Sequence, residues 1–146
     1  MATTLVPAFF DVEGIFRTYI NSLTGTDGLV GPGRPITLGA HLHRLRSPAR
    51  GCYMILTTVG TPVALDEEGT IGAGRISASI YSATSRENAA IAAVAYANVL
   101  NALTITTPVV GNVRLMTVDA ITGPLYVPDV DEERYMVDAD LYLASL

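Results

Sequence analysis

The sequence predicts an α+β (α/β) domain in which two helices pack on one face of a mainly antiparallel sheet of about four strands. Three observations carry this prediction. One stretch places apolar residues at helical spacing. A second is a long alanine-rich run behind a helix-start signal. Others alternate between apolar and polar residues, as half-buried strands do. The 146 residues suit a single domain, 1–146, with a Gly/Pro-rich arm or loop over 24–50 inside it.

The first helix rests on Val12, Ile15, Phe16, Tyr19, Ile20 and Leu23, which fall at i, i+3, i+4, i+7, i+8 and i+11. Pro7 suits its first turn and Gly25 its stop, while Gly14 inside it costs about 1 kcal/mol relative to alanine. From Thr24 to Arg50 the periodicity dissolves among Gly25, Gly28, Gly31, Pro32, Gly33, Pro35 and Gly39. An arm or long loop is expected there, with a short strand near Ile36–Leu42. Cys52 to Val59 reads as a buried strand, and Pro62 to Gly74 as a loop holding Asp66, Glu67 and Glu68. Arg75 to Tyr81 alternates, with Ile76, Ala78 and Ile80 on one side. Thr84 followed by Glu87 has the form of a capping box and opens a helix from Ser85 to about Leu103. Val113–Asp119 leads through a Thr122-Gly123-Pro124 turn to Leu125–Val127. Arg134–Leu143 alternates again, after an acidic turn over Pro128–Glu133.

The totals exclude several classes. The single cysteine, Cys52, rules out an internal disulfide framework. The start lacks the tripartite pattern of a secretory signal, and the apolar run Ala89–Leu103 is interrupted by Tyr96, Asn98 and Asn101. A cytosol is therefore the expected place of synthesis, with no membrane partner. The net charge of −5 argues against a dedicated nucleic-acid binder. Hydrophobic residues reach 49% and charged residues only 16%, which points to surface that a partner covers.

No catalytic, cofactor or metal set assembles in the sequence. His41 and His43 form an H-x-H, but no Asp or Glu lies within ten residues of them, and a closed zinc site takes about four ligands. Cys52 begins an apolar run, as a small core residue does. The acids at Asp66–Glu68 and Asp129–Glu133 lack calcium-loop spacing. Gly72-Ala73-Gly74 precedes a strand, without a phosphate-loop lysine. No cofactor is expected, and no enzyme.

Charge is unevenly placed. Val30–Gly60 holds Arg34, Arg44, Arg46 and Arg50 and no acid, whereas Gly111 onward holds seven acids against Arg114 and Arg134. The chain contains no lysine, in keeping with a GC-rich genome.

Several segments together resemble the phage tail terminator family. They are RISASIYS (Arg75–Ser82), ENAAIAAVAYANVLNAL (Glu87–Leu103) and RYMVDADLYL (Arg134–Leu143), with Gly123-Pro124-Leu125 and Pro128-Asp129 before the last. HLHRLRSPARGCYMIL (His41–Leu56) is similar to a stretch of terminators from phages of actinobacteria, and the lysine-free composition agrees with such a host. The resemblance covers about two-thirds of the chain, and its order and spacing carry it rather than any one motif.

The resemblance implies a structural virion protein at the head–tail junction: a homo-hexameric ring that caps the tail tube and stops its polymerisation. Its partners would be copies of itself, the tail tube protein and the head-completion or connector proteins. Genomic DNA would pass through the lumen without specific binding. Ring contacts are heterologous, so Arg44, Arg46 and Arg50 facing Asp129, Asp131, Glu132 and Glu133 of a neighbour are candidate interface residues. The arm over Gly25–Leu42 either orders only against a neighbour or is an ordered surface loop. Another neck component such as a head–tail adaptor, or a small oligomeric enzyme or ligand-binding domain, are the competing readings.

Overall fold

The computed structural model describes residues 11–45 and 51–146. Its elements are α1 (Val12–Ser22), β1 (Ala40–His41), β2 (Cys52–Ala64), β3 (Ile71–Ser82), α2 (Arg86–Thr106), β4 (Val109–Val110), β5 (Val113–Tyr126) and β6 (Glu133–Ser145). The strands form one sheet in the order β1-β2-β3-β6-β5-β4, antiparallel throughout except for the parallel β1–β2 pair. The class is the expected mixed one, but the sheet has six strands rather than about four. β1 falls within the short strand expected near Ile36–Leu42 and β4 is the addition; both are two-residue strands at the sheet edges. Segments that short carry no periodicity of their own.

Alternation sorts the sheet into two faces. Met54, Leu56, Ile76, Ala78, Ile80, Val137, Ala139, Leu141 and Leu143 are all buried, and their pairing puts them on one face. Both helices pack there, sharing one core with those strands. The Asp11 side chain caps α1 by accepting from Gly14 N at 3.1 Å, and Val12, Phe16 and Ile20 are fully buried. A Cβ at Gly74 would come within 3.1 Å of Val12 Cγ2, so the missing side chain lets α1 lie close on β3. Phe16 and Tyr96 then meet edge to face between the helices.

The start of α2 corrects the expected capping box. Ser85 is the cap, accepting from Asn88 N at 3.1 Å, one residue beyond Thr84. Ser82 Oγ accepts from the backbone N–H groups of Thr84 and Ser85, which sets the turn into the helix. α2 spans 21 residues, long and apolar enough to cross a membrane by length and composition. It nonetheless puts Ala89, Ala92, Ala93, Tyr96, Leu100 and Leu103 into the core, as the core helix of a folded domain does.

Two expected turns are strand instead. β2 runs through Pro62 to Ala64, so the loop before β3 shrinks to 65–70, and a bulge between Val59 and Val63 absorbs the proline near the sheet edge. Likewise β5 continues through Thr122-Gly123-Pro124, bulged but paired to β6 on both sides. Gly123 has φ +99°, and a Cβ there would lie 2.4 Å from Met136 O, so only glycine fits that bulge. The β5–β6 ladder outweighs the local turn signal, and the chain reverses later, between Val127 and Arg134.

Over 24–45 the arm lies on its own chain. Leu29, Val30, Ile36 and Ala40 are buried, and Arg34 Nε donates to Gly28 O at 2.7 Å. The Asn21 side chain donates to Ala40 O and accepts from Ala40 N, fixing β1 to α1. Apolar side chains spaced among its glycines pack the described part onto the core. Pro7, Arg46 and Arg50 lie outside the described residues.

Candidate functional site

Of the charged residues singled out in the sequence, Arg44 and the acidic turn from Asp129 to Glu133 converge at one end of the sheet. Cys52 to Ile55 of β2 bring Tyr53 beside Tyr81 of β3, and the two rings stack with centroids 5.1 Å apart. Glu132, immediately before β6, sends its carboxylate under them, where Tyr53 OH donates to Oε2 at 2.7 Å. Arg44 Nη2 donates to the same oxygen at 3.1 Å, and its Nη1 lies 3.2 Å from Asp129. The Arg44 guanidinium also covers the Tyr81 ring at 5.2 Å, and Arg134 approaches that ring at 5.9 Å. A carboxylate as buried as Glu132, with a side chain 4% exposed, requires such partners, because an unpaired buried charge is costly.

Burial, and then the Glu132 carboxylate beside it, push the Tyr53 phenol up to about 12. Hydrogen bonding to Tyr53 and to Glu132 holds the Arg44 guanidinium still more firmly in its charged form. A second cluster extends the first. Arg86 stacks over Tyr126 at 3.7 Å and donates to Tyr135 OH, while Tyr126 OH donates to Glu133.

This geometry already pairs part of the expected charge set within one chain. Arg44 meets Asp129 and Glu132 across 85 to 88 residues of sequence. The physical reason is topological: β6 lies beside β3, and β3 beside β2, which brings the acidic turn up to the end of the basic stretch. Glu133 is taken up by Tyr126, and Asp131 alone of the four acids stays exposed on the turn. Sequence reasoning missed Tyr53, Tyr81, Tyr126, Tyr135, Arg86 and Arg134. The visible signal was a tyrosine near strand ends in β2, β3, β5 and β6, but its meaning depends on pairing register.

The other candidates scatter. His41 is bound to Leu38 O, and His43 is exposed. Burial pushes the Cys52 thiol up, with Ser82 as its hydrogen-bond partner. Asp66 receives the Thr70 hydroxyl and the backbone N–H groups of Thr70 and Ile71, which holds its carboxyl below the usual range and closes the β2–β3 turn. Among the described residues, no three His, Cys, Asp or Glu side chains gather as a metal site.

Hollows are shallow, and one of about 260 Å³ opens on the acidic turn of the cluster, lined by Asp129, Asp131, Glu132 and Glu133 among others. Another, about 440 Å³, opens between the start of α1 and the β4–β5 turn, lined by Asp11, Arg17, Thr18 and Asn112 among others. A cleft of about 120 Å³ lies between Leu125 and Met136 on the face without helices. Asp138, whose Oδ1 is buried without a hydrogen-bond partner, borders it.

The surface is the more unusual feature. Ile91, Val94 and Ile105 on the outer side of α2 are 53%, 52% and 85% exposed, with no charged residue between them. Val59, Val63 and Leu65 at the other side of the sheet are 51%, 53% and 54% exposed. Comparison with protein-family models finds no match, and comparison with curated proteins finds none.

Proposed function

We propose that this chain is a tail terminator subunit, a non-enzymatic structural protein that closes the head-proximal end of a phage tail tube as a ring. The observation that carries this reading is where the family-like segments lie. Arg75–Ser82 falls in β3 and Arg134–Leu143 in β6. They pair side by side from Ile71↔Ala144 to Ser82↔Glu133, with Glu87–Leu103 packed over them as α2. Segments that resemble one family thus form the contiguous centre of the fold rather than scattered pieces. The uncharged exposed side chains on α2 and β2 add support, since they are what a subunit of a permanent assembly carries.

In this reading the ring's partners are the tail tube protein below and the head-completion proteins above. A net charge of −5 suits a lumen through which DNA slides without being held. The test is native mass over a range of concentrations, with and without divalent cation, followed by electron microscopy. A closed ring that shortens tubes when added to polymerising tail tube protein is the expected result. A chain that leaves tube length unchanged and is found away from the tail end of particles overturns it. Location at the head side of the junction identifies a head–tail adaptor instead.

A further inference from the structure

We infer that the ring contact is made by the outer side of α2 against the helix-free margin of β2 in a second copy of this chain. The inference rests on the ring reading and names its two faces.

The α2 face is a stripe of Ile91, Val94, Asn98, Asn101 and Ile105, at i, i+3, i+7, i+10 and i+14, all exposed. No charged residue occurs from Asn88 to Val113. A helix that meets only water normally carries charged residues on this side. The second face is on β2. Among the described residues, β1 covers that strand only at Met54 and Ile55, and no strand lies outside Leu56–Ala64. Val59 and Val63 pair with Arg75 and Ala73, so they stand on the sheet face away from α1 and α2. No charged residue occurs from Gly51 to Leu65.

Three arguments select a second copy as the occupant. The patches are unlike and lie on opposite sides, since α2 packs mainly over β5 and β6 while β2 is near the other sheet edge. A head-to-tail contact covers both with one interface, whereas a single foreign partner leaves one bare. Their lengths also match. Ile91–Ile105 spans about 21 Å at helical rise, and Leu56–Ala64 about 26 Å at strand rise. Finally, Pro62 and the bulge beside it break the β2 edge, which disfavours extension of the sheet by another strand and leaves side-chain contact with a helix. The neighbour's α2 then covers part of the bare face, completing a helix–sheet–helix layering.

The test uses the full chain with Val94→Glu or Val63→Glu, repeated with Ile91→Lys and Val59→Lys, each checked for folding by circular dichroism. Sedimentation should show the parent assembling and each variant weakened in self-association about 100-fold, because a charge is then desolvated at the contact. Mixed one to one, the Val94→Glu and Val63→Glu chains should form a dimer and nothing larger, because each supplies the intact face the other lacks. A mixture that stays monomeric overturns the pairing, as does a parent that stays monomeric. A parent ring whose assembly neither variant alters rejects this interface and retains the ring. Open-ended parent oligomers together with the mixed dimer retain the interface and reject the ring.

Discussion

The end of the sheet around Glu132 and the outer side of α2 treat their side chains in opposite ways. At the first, charged and aromatic groups are packed until each has a partner: Glu132 takes Tyr53 and Arg44, Arg44 also takes Asp129, and Arg86 takes Tyr126 and Tyr135. On the second, Ile91, Val94 and Ile105 stand exposed, with no partner among the described residues. The contrast teaches which surface is finished. Polar groups that satisfy one another within a chain have little left to offer a neighbour, whereas exposed apolar groups gain from being covered. The arginines looked like the interface in the sequence, and the structure turns attention to the uncharged faces.

The largest expected effect is at Glu132. Replacing it by alanine removes the acceptor of Tyr53 and one carboxylate facing Arg44, and should lower stability by about 3 kcal/mol in urea titration. A loss below about 1 kcal/mol would mean that the cluster is a surface ornament. Next come two adjacent residues of α2. Ala93 is fully buried, so Ala93→Leu should cost about 2 kcal/mol by overpacking against the sheet. Val94 faces outward, so Val94→Glu should change the monomer's stability by no more than about 0.5 kcal/mol while disrupting assembly. Equal effects at the two positions would erase the distinction between the helix sides.

Tyr53→Phe should cost about 1 kcal/mol, since it removes one buried hydrogen bond but keeps the ring stacked on Tyr81. The same group gives a pH dependence. Its phenol is held at about 12 in the fold against about 10 when unfolded, so the folded state binds that proton more tightly. The contribution is complete below pH 10 and is lost as pH rises through about 12. Thermal melts of parent and Tyr53→Phe should therefore converge over that window; parallel loss in both would assign the alkaline instability elsewhere. The smallest effect is expected for Asp140→Asn, which breaks a half-exposed cross-strand pair with Arg75 and should cost under about 1 kcal/mol, less at high salt.

Much of the fold was legible because it is written in local periodicity. The stripe from Val12 to Leu23 gave α1, the alanine run gave α2, and alternation in Arg75–Tyr81 and Arg134–Leu143 gave the inner faces of β3 and β6. The candidate site was legible only as composition, since Arg44 and Glu132 were each noticed but assigned to different subunits. Tyr53 was hidden inside a run read as plain core, although its hydroxyl is what fixes Glu132.

The sequence by itself determined the helices, the two-faced strands and the scarcity of charge along β2 and α2, because spacing and side-chain chemistry are properties of a segment. Only the tertiary structure decided that β6 inserts beside β3, that Pro62 and Gly123-Pro124 sit in bulges rather than turns, and that the basic and acidic stretches meet in one chain. These depend on long-range pairing. A continuous hydrogen-bonded ladder with an apolar face to bury outweighs one local turn preference, and no segment encodes which distant strand will lie next to it.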